Sequence, residues 1–459
     1  MANTRGPARR SGRALGAALA LLAALLLVAP SAPPPVDASA TTPSVAEPAS
    51  WETVLAQTAA LRGLAPRAEI PRTLLSREAL QARVQEQLSR EPAPERLAST
   101  AKLLAALGLL EQGADLRGLL LQFRSGLVLG QYDPETKQLY VVTAATVLGP
   151  MERATAAHEY THALQDQHFD LLALRPRHST DGDRNLAVTA LLEADAVLVT
   201  ERYVATHLTP TEREQRRQQL RALQRDVDLD RFPLVVREQS YFPYTEGPRF
   251  LRQVLGEETL RGDAYGPAVD RLFADPPQAT AQILHPERYV RRVAPLPVAL
   301  PELAPALGDE WRLTREGVLG ELEHRLALQH YLEPSTASRA AEGWAGARYA
   351  LLESTQEQLA LVVRTRWDHP AEADEWLAAY RAVVQRRFGP IAPREEQMEG
   401  AVAAQLWSTP DGALLLARQG ADTLLVRAPA ANQARTLAVL ALGEAPTVRL
   451  PVPAAPLGS

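Results

Sequence analysis

Residues Thr155 to Asp170 read T-A-A-H-E-Y-T-H-A-L-Q-D-Q-H-F-D, and His158-Glu159-Tyr160-Thr161-His162 within them is an H-E-x-x-H sequence. In a helix, residues four apart share a face, so both imidazoles can converge on one cation. Glu159 leans over that face, where it can take a proton from an attacking water. The helix reading has local support. Pro150 suits a first helical turn, and Gly149 before it supplies a loop. Ala154, Ala156 and Ala157 favour helix and leave room for a close neighbour, and no Pro or Gly interrupts Met151 to Asp170. The competing reading is an amphipathic surface helix with two exposed histidines, since so loosely constrained a motif also arises by chance.

A zinc site of this kind needs a third protein ligand. His168 stands ten residues after His158, the spacing of the extended H-E-x-x-H-x-x-G-x-x-H form, but Gln165 sits where that form has its Gly. In a continuous helix His168 points about 120° away from His162 and about 9 Å further along the axis. The methionines are Met1, Met151 and Met398, so no Met-containing turn follows the motif closely. Glu193 is the stronger candidate. It lies in N-L-A-V-T-A-L-L-E-A-D-A-V-L-V-T, Asn185 to Thr200, which reads as a mostly buried helix. A carboxylate in such a run must be paired or metal-bound. Its helical neighbours Thr189, Ala190, Ala196 and Val197 are small enough to allow close approach to the first helix. Asp195 points to the other side as a structural or orienting acceptor. The alternative for Glu193 is a buried ion pair with Arg184 or Arg202.

His158, Glu159, His162 and a downstream helical Glu resemble the gluzincin type of zinc metallopeptidase. More narrowly, several phrases are similar to a group of exported, largely uncharacterised bacterial and archaeal H-E-x-x-H surface proteins. They include Y-D-P-E-T-K-Q-L-Y-V from Tyr132, H-E-Y-T-H-A-L-Q-D-Q-H-F-D-L from His158 and A-L-L-E-A-D-A from Ala190. F-P-Y-T-E-G from Phe242, Q-I-L-H-P-E-R-Y from Gln282 and W-D-H-P-A-E-A from Trp367 extend the similarity over Leu119 to Phe388. Ala194 departs from the Gly usual in the third-ligand phrase. The resemblance implies a Zn2+ held by His158, His162 and Glu193, with Glu159 as general base in peptide hydrolysis. It also implies an electrophile for the oxyanion, for which His285 is the first choice, then Tyr289 and Tyr244. A His beside Pro can equally brace a loop. Asp166, Asp170 or Asp195 is expected to orient a ligand histidine through its second nitrogen.

At 459 residues and 46% hydrophobic, the chain is expected to fold as more than one core, and a net charge of −5 gives no reason to expect nucleic acid. The lysines are Lys102 and Lys137, and the arginines are spread along the whole chain. Arg5, Arg9, Arg10 and Arg13 precede an apolar run from Ala14 to Ala29, the plan of a secretory signal, with Ala38-Ser39-Ala40 as a cleavage site. An uncleaved anchor tethering the chain to a membrane is the competing reading, although the run is short for a span. Either way the protein is expected to be exported, to the cell envelope or the exterior. The chain has no Cys, hence no disulfide framework and no thiolate metal site.

Further expectations follow from the pattern along the chain. Residues 1–40 are the signal peptide, and 41–50 are a Pro-, Ala-, Ser- and Thr-rich linker. Trp51 to Leu64, Pro71 to Leu88, Leu97 to Glu111 and Leu116 to Arg124 read as helices. Gly126 to Thr143 reads as a hairpin around Asp133-Pro134-Glu135-Thr136. Leu139 to Thr143 is the candidate free edge for an extended peptide, with an internal strand as the equal alternative. Pro210 to Asp228 is a solvated helix. Ser240 to Arg249 and Gln282 to Tyr289 are loops, and Leu313 to Tyr331 is a long helix closing the catalytic domain. After Pro334, two strand–strand–helix units are expected, with Thr409-Pro410-Asp411-Gly412 as a turn.

The resulting fold class is α+β. A mainly helical, zincin-like catalytic domain with a short sheet spans 51–335, a smaller α+β domain spans 336–445, and a tail runs from 446 to 459. The expected activity is zinc-dependent hydrolysis of a peptide or protein substrate. The alternatives are a non-catalytic exported binding protein with a structural or vestigial zinc site, and a zincin fold acting on its own precursor or an envelope component.

Overall fold

A computed structural model describes residues 50–443, apart from 91–92, 128, 144–147, 177–178 and 227. The expected signal peptide, most of the expected linker and the expected C-terminal tail therefore lie outside the described residues. The fold is α+β and divides into two units, one of residues 1–105 and 109–294, the other of 106–108 and 295–459. The division falls after Ala294, 41 residues before the expected boundary at 335/336.

The first unit is mainly helical. It begins with α1 (Trp51–Arg62), β1 (Arg72–Leu75), α2 (Arg77–Arg90), α3 (Ala93–Ala106) and α4 (Leu116–Leu127). Pro71 to Leu88 is thus a strand followed by a helix, because Arg72 to Leu75 pair in parallel with residues 139–142. The hairpin is formed by β2 (Gly130–Asp133) and β3 (Gln138–Val142), with Lys137 in the left-handed region of the turn (φ 54). The strand order β1-β3-β2 makes β3 the central strand. Leu139 to Thr143 is therefore not the free edge, since its backbone groups are shared between two partners; β1 and β2 are the edges, and β2 is the one beside α5.

Next come α5 (Pro150–Phe169), the single turn α6 (Leu171–Leu174), α7 (Gly182–His207) and α8 (Pro210–Asp226). Helix α5 starts at Gly149 with Pro150 at its first position and stops where Asp170 adopts φ 54. Its face built from Ala154, Ala157, Tyr160, Ala163 and Leu164 is buried with Leu139, Val141, Val54 and Tyr203. Burial of each larger side chain in that cluster contributes about 1.5–3 kcal/mol. Helix α8 is largely solvated, though Leu220 is fully buried.

Helix α9 (Leu234–Arg261) overturns the loop expected at Ser240 to Arg249. Pro243 and Pro248 both lie inside it, and the backbone kinks only at Gly256. Two prolines remove two backbone donors, which ordinarily ends a helix. Here burial of Tyr241, Phe242, Phe250 and Leu251 offsets that loss. Helix α10 (Tyr265–Ala274) and the short turns α11 (Thr280–Leu284) and α12 (Pro286–Val290) complete the unit, so Gln282 to Tyr289 is helical turn, not loop.

The second unit is a seven-stranded antiparallel sheet. Its strands are β4 (Trp311–Gly317), β5 (Trp344–Ser354), β6 (Leu359–Trp367), β7 (Arg394–Glu395), β8 (Ala403–Thr409), β9 (Gly412–Gln419) and β10 (Asp422–Ala428), in the order β4-β5-β6-β10-β9-β8-β7. The two expected strand–strand–helix units are thus fused into one sheet through β6 and β10. Helices α13 (Glu321–Gln329), α14 (Pro334–Ala341), α15 (Pro370–Phe388) and α16 (Ala431–Leu442) accompany it. One core joins Ala434, Leu437, Ala438 and Ala441 of α16 to Leu352, Val362, Leu415, Leu424 and Val426 of the sheet. The long helix expected over Leu313 to Tyr331 is instead β4, a break, and α13. Residues Trp311 to Gly317 pair with β5 through a bulge at Thr314, and that tertiary pairing overrides the helix expectation.

Among the described residues, no helix is long and apolar enough to cross a membrane.

Candidate metal centre

Helices α5 and α7 bring His158, His162 and Glu193 together. His158 Nε2 and Glu193 Oε2 are 3.2 Å apart. His162 Nε2 is 3.3 Å from the same oxygen and 3.3 Å from His158 Nε2. A tetrahedral cation with bonds of about 2.0–2.1 Å keeps its ligand atoms about 3.3–3.4 Å apart, so the triangle has the size that a zinc ion requires.

The protonation of the ring atoms follows from their outer partners. Thr200 donates its hydroxyl proton to the Ala196 carbonyl (2.7 Å), which leaves its oxygen to accept from His158 Nδ1 at 3.4 Å. Gln165 spends its amide protons on the Leu192 carbonyl (3.0 Å) and Asp195 Oδ2 (2.9 Å), leaving its oxygen to accept from His162 Nδ1 at 2.9 Å. With both Nδ1 atoms protonated, three lone pairs converge on one point, an arrangement that only a cation or an added proton satisfies.

Gln165 also staples the two helices on either side of Glu193, because Leu192 and Asp195 flank it in α7. Asp195 is fully buried and accepts from Arg62 Nε (2.7 Å) and the Tyr265 hydroxyl (2.7 Å). Arg62 in turn reaches Asp270 at 2.7 Å. Of the three aspartates considered for orienting a histidine, Asp195 does so, through Gln165. Asp166 instead accepts from the Tyr132 hydroxyl (2.7 Å) and Lys137 (2.6 Å), anchoring the hairpin to α5. Asp170 caps α6. His168 binds the Ala65 carbonyl at 2.8 Å and stands apart from the triangle. Arg184 and Arg202 do not pair with Glu193: Arg184 donates to the Leu174 carbonyl, and Arg202 lies over the Tyr265 ring.

Glu159 follows His158 in α5, and its Oε2 accepts the Tyr132 N–H at 2.7 Å. That bond needs β2 to lie close against α5, which Gly130 permits. A Cβ there would stand 2.6 Å from Thr155 Cγ2 and 3.0 Å from Glu159 Cγ. Glu159 and the triangle line a cleft of about 220 Å³ with Gln131, Tyr132, Leu171, Arg175, Leu192 and Tyr244 among its walls.

Tyr244 reaches the cleft because Gly247, one turn later in α9, lies against α7. A Cβ on Gly247 would meet the Ala190 carbonyl oxygen at 2.3 Å and Ala194 Cβ at 3.2 Å. The Tyr244 ring stacks on His158 with centroids 6.5 Å apart. The two preferred electrophiles are not in the cleft lining. Tyr289 donates to the Asp275 carbonyl at 2.7 Å. His285 belongs to a segment fixed at the start of α7, where the Thr280 N–H donates to Asp183 at 3.1 Å. Asp183 is ten residues before Glu193, about 15 Å along the helix.

The electrostatics are those of a mutually dependent cluster. Burial pulls the His162 imidazolium down, but the Glu193 carboxylate outweighs it and raises the group to about 9. Burial pushes Glu193 up, yet the two imidazoles hold it well below the usual carboxylate range. Glu159 is raised by burial, opposed by the imidazoles and reinforced by Glu193. Burial lowers the Arg175 guanidinium, against the pull of Glu193 and Tyr244.

Sequence reasoning passed over Arg62, Gln165, Thr200 and Arg175. Gln165 and Thr200 carried a usable signal, standing three residues after His162 and seven after Glu193, one face-turn and two turns along their helices. Arg62 and Arg175 had none, because each reaches its partners through tertiary contact.

Residues 311–438 match a family model described as Domain of unknown function (DUF8575). The match lies in the second unit and contains none of the cleft residues. No curated protein and no solved structure matches the chain.

Proposed function

We propose that the protein is an exported zinc-dependent peptidase whose cleft lies between α5, α7 and the β2 edge. The observation that carries this reading is the triangle of three acceptor atoms at zinc-ligand spacing, open to a cleft that also holds a carboxylate. His158, His162 and Glu193 would hold a zinc ion, which when bound would supply Lewis acidity and lower the pKa of a water in the cleft to about 7.

The remaining work falls to the chain's own residues. Thr200 and Gln165 hold the imidazoles with their Nε2 lone pairs facing inward. Glu159, raised by burial, takes the proton of the attacking water and later returns it to the leaving amine. The Tyr132 N–H fixes one Glu159 oxygen while the other accepts the proton. Tyr244 donates its hydroxyl to the oxyanion that forms as the carbonyl is attacked. Export rests on the basic and apolar character of residues 5–29.

The test is zinc analysis of the purified chain together with hydrolysis of a denatured-protein substrate such as casein. One zinc per chain with chelator-sensitive cleavage is expected. Stoichiometric zinc whose removal unfolds the chain, with no cleavage at any stage, would instead identify a structural ion.

A further inference from the structure

Arg175 sits in the cleft within the electrostatic reach of Glu193, but among the described residues it makes no hydrogen bond or ion pair to a carboxylate. It follows α6 and precedes Pro176, and it lines the same cavity as Glu159, Glu193 and Tyr244. Its Nη1 donates to Thr189 Oγ1 at 3.2 Å, a neutral oxygen whose own proton goes to the Asn185 carbonyl. Its Nε is closed to solvent and makes no hydrogen bond among the described residues. A half-buried charge with one neutral hydrogen bond and a buried, idle donor is costly unless an anion meets it.

The charge balance of the cavity points the same way. Among the described residues its ionic lining consists of Glu159, Glu193 and Arg175 beside the two histidines. With a dication bound, these groups sum to one positive charge in excess, and Arg175 is the one positioned to present it. Guanidinium is also the donor best matched to a carboxylate, through two parallel N–H bonds.

We propose that Arg175 binds a carboxylate of the substrate, so that the cleft selects peptides bearing a negative charge beside the bond to be cut. The carboxylate is either a free C-terminus or an acidic side chain. This inference rests on the peptidase reading and adds a substrate class to it.

The test uses the zinc-loaded full chain and thiol ligands that anchor on zinc, with affinity measured by calorimetry. Mercaptoacetyl-phenylalanine is compared with its amide, and mercaptoacetyl-aspartate amide with mercaptoacetyl-asparagine amide. In at least one pair the acid is expected to bind about ten- to a hundredfold more tightly than its neutral counterpart. A preference in the first pair identifies a C-terminal carboxylate, and one in the second identifies an acidic side chain. Arg175→Gln is expected to abolish the preference and Arg175→Lys to restore part of it, with zinc content unchanged. Equal affinity of acid and neutral forms in both pairs, in a wild-type chain holding one zinc, overturns the assignment of Arg175 alone. Absence of bound zinc overturns this inference and the peptidase reading together.

Discussion

His162 and Gln165, one helical turn apart in α5, are joined through Nδ1 and Oε1 at 2.9 Å. The bond makes Gln165 the means by which the buried Asp195 network fixes the His162 imidazole. Replacing Gln165 with Leu removes the acceptor while keeping the volume similar. Zinc affinity, measured by competition with a chromogenic chelator, is expected to fall about 10- to 100-fold. Unchanged affinity would mean that the imidazole is oriented by packing alone.

Glu159→Gln keeps the shape and the Tyr132 contact but cannot take a proton. Zinc content and unfolding midpoint are expected to stay near wild type, while kcat falls about 10²- to 10⁴-fold. Retained turnover would remove Glu159 from the reaction.

Metal removal tests how far the site depends on its ion. Arg62, Asp195, Tyr265 and Gln165 hold α1, α5, α7 and α10 together without it. Chelation at neutral pH is therefore expected to abolish cleavage and leave far-UV circular dichroism intact, with activity regained on adding zinc. Loss of helical signal on chelation would show that the ion holds the fold.

Gly247→Ala forces a methyl into the Ala190 carbonyl, which is backbone and has little freedom to yield. A loss of about 1–3 kcal/mol is expected from denaturant unfolding, together with reduced turnover as Tyr244 is displaced. A neutral substitution would show that α9 can move away from α7 at no cost.

In the second unit His324 is buried, with Nδ1 2.8 Å from the Gly320 carbonyl and Nε2 2.8 Å from Thr365 Oγ1. Burial lowers its pKa to about 4, with only the Gly320 contact opposing. A histidine lowered on folding stays neutral in the native state while the unfolded chain protonates. Stability is thus full above about pH 6.5 and is lost as pH falls toward 4, by about 3 kcal/mol. Five of the six tryptophans belong to this unit, so their emission follows its unfolding. His324→Gln is expected to flatten the profile between pH 7 and 4. An equally steep profile in that variant would assign the acid sensitivity elsewhere.

The elements that sequence reasoning read well are those stabilised by their own local pattern. Helix α5 is announced by Gly149 and Pro150 and by an uninterrupted run, and the β2–β3 hairpin by its Asp-Pro turn. The β8–β9 turn is announced by Thr409 to Gly412, where Gly412 adopts φ 108. The misreadings are those where distant packing decides. Pro243 and Pro248 signal a loop, yet burial against α7 keeps α9 helical. Leu313 to Gly317 is expected as the start of a long helix, yet β5 offers it a ladder. His285 was chosen for its chemistry, and nothing in one chain segment reveals that Thr280 ties it to the far end of α7.

The sequence by itself determined the meeting of His158, His162 and Glu193 in outline, because four-residue spacing on one helix and a carboxylate in an apolar run are facts of local geometry and desolvation. Only the tertiary structure decided which strand borders the cleft, which tyrosine faces it and which arginine enters it. Those choices depend on two close approaches, Gly130 against α5 and Gly247 against α7, and a missing Cβ matters only once the opposing backbone is in place.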